Sequence, residues 1–131
     1  MILLAAVQIY AGNPAHTLTT LDTLMRLDPH YPDIALQFLA DARFSLGEYE
    51  LAVGAIERRL KRNPESGTAF VLLASYYGWL GRSEDAHTAW DQALRINPNF
   101  SVERSRQVLP FRNLEDFERR VEGLRRARLN V

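Results

Sequence analysis

Three histidines, His16, His30 and His87, are the side chains of this sequence best suited to hold a metal or move a proton near neutral pH. Each stands in a different part of the chain, and none has a second His, Asp or Glu at a recognised ligand spacing. They are read as surface or groove-side residues. Two acidic pairs, Glu84–Asp85 and Glu115–Asp116, would have to share a site to act as acid and base. Neighbours in sequence do not share a helix face, so both pairs are read as solvated helix starts that favour the macrodipole. No Gly-rich phosphate loop, GxSxG elbow or HExxH is present, and there is no Cys for a disulfide or a thiolate. The expectation is a chain without catalytic residues, metal site or cofactor.

A cluster of arginines near the end, Arg119, Arg120, Arg125, Arg126 and Arg128, could neutralise phosphates. Against that, Glu115–Arg119, Asp116–Arg120 and Glu122–Arg126 are i,i+4 pairs with the acid first, the order that supports an exposed helix. No aromatic residues are interleaved for base stacking. Sixteen basic and sixteen acidic side chains cancel over the whole chain. Neither nucleic acid nor an anionic membrane is the expected partner, although nucleic-acid binding by the Arg-rich tail stays as a third alternative. The opening "MILLAAV" is too short to span a membrane and has no basic residue before it. It reads as a buried helix face, and a cytoplasmic location is expected. "NFS" (99–101) is taken as a chance match to a glycosylation triplet.

These side chains sit on a repeating frame. The 131 residues, 47% apolar and 24% charged, suit one soluble domain. "LGEYELAVGAIERRLKRNP" (46–64) and "LGRSEDAHTAWDQALRINP" (80–98) match in register at a spacing of 34 residues, and "AGNPAHTLTTLDTLMRLDP" (11–29) is a fainter copy. A fixed period of this kind means repeated supersecondary units. Leu36 and Leu39 precede Gly47, and Ala52, Ile56 and Leu60 follow it; Phe70, Leu73 and Tyr77 precede Gly81, and Ala86, Trp90 and Leu94 follow it. Spacings of three and four put each set on one helix face. The Gly supplies a turn at positive φ, and "DP", "NP" and "NP" close the units, since proline disfavours helix in the residue before it. Helices are predicted at 2–11, 14–27, 33–45, 49–61, 67–79 and 83–95. A short helix follows near 101–107, then a last one at 114–127 capped by Asn113, with a stripe of Leu114, Phe117, Val121 and Leu124.

The units resemble the tetratricopeptide repeat (TPR) family over residues 2–98. Leu73, Ala74, Tyr77, Gly81, Ala86, Trp90, Ala93 and Pro98 fall where that family places its signature residues. Arg43, Arg59 and Thr17 depart from the pattern, and "PHYPD" (29–33) carries an extra residue. The resemblance implies an all-α, superhelical stack of three helix-turn-helix units, at about 1–29, 33–64 and 67–98. Residues 99–131 then form a C-terminal segment whose helix covers the end of the stack. Trp90 is expected in the core. The tail "LPFRNLEDFERRVEGLRRARL" (109–129) loosely resembles the end of bacterial proteins in which such repeats follow a class III adenylate or guanylate cyclase domain. That makes a regulatory cyclase region the alternative to a plain interaction module. Because the chain opens inside an apolar helix, it reads as the C-terminal part of a longer protein.

In the family, the first helix of each unit lines a groove that takes protein partners. Carried over, the groove presents Ile9 and Tyr10, then Gln37, Asp41, Phe44 and Ser45, then Thr68, Val71, Ser75 and Trp79. Gln37, Asp41 and Ser75 stand where some members clamp a terminal carboxylate with Lys, Asn and Arg, so such a clamp is not expected. The groove's apolar residues could take a partner helix or pack against the chain's own tail. The expected partner is a protein, a peptide or another domain of the same parent chain. Ile2, Leu3, Ala6 and Val7 leave two outcomes open: a monomer with a fraying first helix, or a two-fold homodimer that buries them.

Overall fold

The computed structural model describes residues 13–108 and 114–129. Among them are seven α-helices and no strand: α1 (Pro14–Leu27), α2 (Ile34–Ser45), α3 (Tyr49–Arg62), α4 (Gly67–Trp79), α5 (Ser83–Ile96), α6 (Val102–Val108) and α7 (Leu114–Arg126). Each falls where the sequence pattern predicts one, with ends within one residue. The helix predicted at 2–11, with Ile9, Tyr10 and the dimer face of Ile2, Leu3, Ala6 and Val7, lies outside the described residues, as does Asn113.

Two chemistries end the helices. Asp28, Asn63 and Asn97 each precede a proline and close α1, α3 and α5 in extended backbone, at φ of −135°, −142° and −133°. At the other ends of the pairs, Gly47 and Gly81 take φ of 79° and 72°. The next amide then reaches back, Glu48 N–H to the Arg43 carbonyl and Arg82 N–H to that of Tyr77, each at 2.9 Å. This is the Schellman closure, whose left-handed residue is cheap only without a Cβ. Ser66 opens α4 by accepting the Ala69 amide at 3.3 Å.

α2 pairs with α3 and α4 with α5; α1 packs on α2, and α3 on α4. Ala52 and Ala86, both fully buried, let the paired helices approach. One core runs through Phe44, Ile56, Leu72 and Tyr76, and a smaller one around Leu21 and Phe38 holds α1. This is a TPR-like stack, in which a unit that cannot bury its own apolar face does so on its neighbour. The arginines that depart from the family pattern have local partners. Arg43 meets Glu48 at 3.1 Å across the turn, and the buried Arg59 meets Asp33 at 3.3 Å.

Trp90 differs from expectation. It is half-buried at the rim of the core and meets Phe100 edge-on, with centroids 5.7 Å apart. The buried residues of α5 are Ala86, Ala89 and Ala93. The reason is what comes next: the short α6 follows α5, so a single ring covers Trp90 instead of a full unit.

α3 and α5 each carry one apolar face, but α4 is buried nearly all round, from Leu72 to Gly78 without a break. A helix apolar on every side needs a partner on every side. α3 and α5 supply two, and α7 supplies the third.

Candidate functional site

α7 lies on the face formed by the first helices of two units, α2 and α4. Its apolar stripe, Phe117, Val121 and Leu124, is at most 5% exposed. Burying such a side chain is worth roughly 1.5–3 kcal/mol, which is what brings the helix down. Its closest approach is glycine on glycine. A Cβ on Gly78 would overlap the carbonyl oxygen of Gly123, and a Cβ on Gly123 would collide with Ser75 and lie 2.8 Å from Trp79 Cδ1. Gly123 lies inside α7, where glycine costs about 1 kcal/mol relative to Ala. The crossing is its compensation.

Polar groups fix the register. Ser75 Oγ donates to the Arg120 carbonyl at 2.7 Å, and Trp79 Nε1 donates to that of Arg119 at 2.8 Å. His87 Nε2 lies 2.8 Å from the Ala127 carbonyl, which can only accept, so this nitrogen carries the proton. The side chains of Arg119 and Arg120 reach on to α2. Arg120 Nη2 meets Asp41 Oδ1 at 2.7 Å, and that carboxylate, 2% exposed, also takes the Tyr76 hydroxyl at 3.4 Å. Burial pushes the Asp41 carboxyl above its ordinary value, while Arg120, the Tyr76 hydroxyl and Arg59 pull it down. The Arg119 guanidinium donates to the carbonyls of Phe44 and Ser45 at 3.1 and 3.3 Å and to the Tyr49 hydroxyl at 3.1 Å. It thus caps the negative end of α2.

The walls between these contacts are aromatic. Phe44, Tyr49, Tyr76 and Trp79 form a connected set with centroids 5.0–5.5 Å apart. Arg119 sits over Phe44 at 4.8 Å and Arg126 over Trp79 at 4.1 Å. Guanidinium planes over aromatic faces contribute about 0.5–2 kcal/mol each, more as water is excluded.

Of the residues the sequence assigns to the groove, Asp41, Phe44, Ser45, Ser75 and Trp79 all touch α7. Val71 and Thr68 instead line a cavity of about 120 Å³ between α4, α6 and α7. Gln37 accepts a hydrogen bond from Arg59 and belongs to the seam between α2 and α3. Arg119 and Arg120 are corrected in exposure. The sequence puts them on a solvated face, yet their guanidinium groups reach into the groove, where a buried carboxylate and a helix end demand positive charge. The side chains of Glu115 and Asp116, their predicted partners, lie outside the described ones; the predicted pair of Glu122 with Arg126 is present at 3.9 Å, and being exposed it is worth little. Tyr49 and Tyr76 were not assigned to the site. The signals that point to them are an acid, Asp41, on an otherwise apolar helix face, a glycine inside an arginine-rich helix, and the all-round apolarity of α4.

His16 and His30 are exposed, and among the described residues no cluster of His, Cys, Asp or Glu could hold a metal. No described helix is long and apolar enough to cross a membrane.

No protein-family model matches the chain, and no curated protein matches it either. Among solved structures, two of MamA are similar. One has a TM-score of 0.65 at 22% identity over 88% of this chain and 67% of its own. The other has a TM-score of 0.64 at 22% identity over 88% of this chain and 63% of its own. At that identity the likeness shows the fold, an all-α TPR-like stack.

Proposed function

We propose that the chain is a non-enzymatic protein–protein interaction module that works in the cytoplasm and binds through the groove of α2 and α4. The partner is a protein, a peptide or another domain of a longer parent chain. The observation that carries this reading is that the groove already holds a helix. Asp41, Ser75 and Trp79 bond to that helix at defined atoms, and the rings of Phe44 and Trp79 accept its guanidinium groups. A surface able to recognise one helix by stripe, charge and crossing geometry is suited to recognise others. The TPR-like fold of the MamA structures agrees with such a role.

The test is affinity capture with the chain as bait, followed by reconstitution from purified components. A captured protein should form a stoichiometric complex at micromolar concentrations. If no captured protein re-forms a complex once purified, the interaction reading fails.

A further inference from the structure

The helix in the groove describes the ligand the groove is built for. Resting on the reading of the chain as an interaction module, we infer that its partner docks as an amphipathic helix carrying two adjacent arginines and a small residue at the crossing. In α7 this pattern is Arg119, Arg120, Val121, Gly123 and Leu124, and the partner replaces α7 in trans.

Each element of the pattern answers a fixed feature of the wall. The first arginine meets the carboxyl end of α2 and the Phe44 ring. The second meets Asp41, which is 2% exposed and whose burial without a cation would be costly. The small residue is forced by Ser75 and Trp79, into which any Cβ at position 123 would run, while a Cβ at Gly78 on the wall would run into the backbone of the docked helix. Ser75 and Trp79 donate to backbone carbonyls, so they accept any helix set in this register. Lysine would be a poor substitute for either arginine, since a point charge neither forks between two carbonyls nor lies flat on a ring. A tethered helix acts at an effective concentration of about millimolar for a short linker, so α7 shields the groove from weak competitors and yields to matched ones.

The ligand probe is a labelled peptide of residues 114–129, titrated into the full chain by fluorescence anisotropy. Gly123→Gln in the chain should expel its own α7 and leave every groove residue intact. The peptide should then bind this variant at least about tenfold more tightly than it binds wild type. Adding Gly78→Ala to the same chain should abolish the gain, because the obstruction is now on the wall. A peptide with Arg119→Lys and Arg120→Lys should lose about tenfold or more. Should circular dichroism show that Gly123→Gln does not fold, a chain carrying Arg119→Ala and Arg120→Ala takes its place with the same peptides.

Equal binding by wild type and the opened chain would overturn the inference, as would binding that ignores Gly78→Ala or the lysine peptide. The two readings fail separately. A reconstituted partner that binds the Gly78→Ala, Gly123→Gln chain as well as wild type leaves an interaction module but removes this recognition pattern.

Discussion

Arg120 and Asp41 meet at 2.7 Å, with side chains 14% and 2% exposed, and they join the last helix to a helix about eighty positions earlier. Removing one partner of such a pair leaves the other charge buried, so Arg120→Ala should destabilise by about 3 kcal/mol in a denaturant titration. Removing both should cost less than the sum of the single changes. The pH dependence has a definite sign. The folded Asp41 carboxyl is held above its ordinary value, chiefly by burial, so it takes up a proton on folding only at pH between the unfolded and folded values, and above them the pair with Arg120 is ionic. Its contribution is full at low pH and is lost as pH rises from about 3.9 through the folded value. Wild type should therefore lose stability relative to Asp41→Asn as pH rises through the carboxylate range. A wild type that gained on the variant would mean that Arg120 outweighs burial. At the rim, Trp90 is half-buried against Phe100, so Trp90→Ala should cost about 2 kcal/mol, less than the 3–5 of a fully enclosed aromatic.

At the scale of the element, three helix ends use the same closure with different residues. Gly47, Gly81 and Arg128 all have positive φ, and Leu129 N–H reaches back to the Leu124 carbonyl as Arg82 N–H does to that of Tyr77. Nothing crowds a Cβ at Gly81, so the backbone alone decides the effect of Gly81→Val. That change should destabilise by about 1–3 kcal/mol. Arg128 is the non-glycine case, at φ of 61°. Arg128→Gly relieves the left-handed strain but loosens the unfolded chain, which leaves a gain of about 0.5–1 kcal/mol. Thermal midpoints of the two variants should move in opposite directions. These sites were legible because turn glycines and prolines act through local sterics that any chain shares. The arginine at 128 was not, since nothing in its neighbours announces a left-handed residue.

Over the whole molecule, α1 to α5 form a stack in which each helix is held by its neighbours, while α7 docks from the side onto α4. Its release breaks the Arg119, Arg120, Ser75 and Trp79 contacts and leaves the pairing of α2 with α3 and α4 with α5 in place. Native-state hydrogen exchange should therefore find amides of residues 117–126 opening at a lower free energy than those of 70–77. A single common opening energy for both segments would show that α7 belongs to the same cooperative unit as the stack. The chain should not turn over ATP or GTP with magnesium or manganese. Cyclic nucleotide formation that co-purifies with the chain would instead favour a signalling enzyme.

The repeat, its period, the turn glycines, the closing prolines and the helix ends were all present in the sequence, because they depend on interactions between residues a few positions apart. The groove-facing side of α2 and α4 was legible for the same reason, since helix periodicity assigns faces without knowing what covers them. Only the tertiary structure decided what lies on that face. Arg119 and Arg120 have acids one turn away that make them look solvated, and the competing partner, Asp41, is distant in sequence and near only after folding. Gly78 and Gly123 likewise look like ordinary helix-weakening residues until the two helices cross at that point. Local sterics and periodicity act within one turn of the chain, whereas charge burial and close packing act between segments that only the fold brings together.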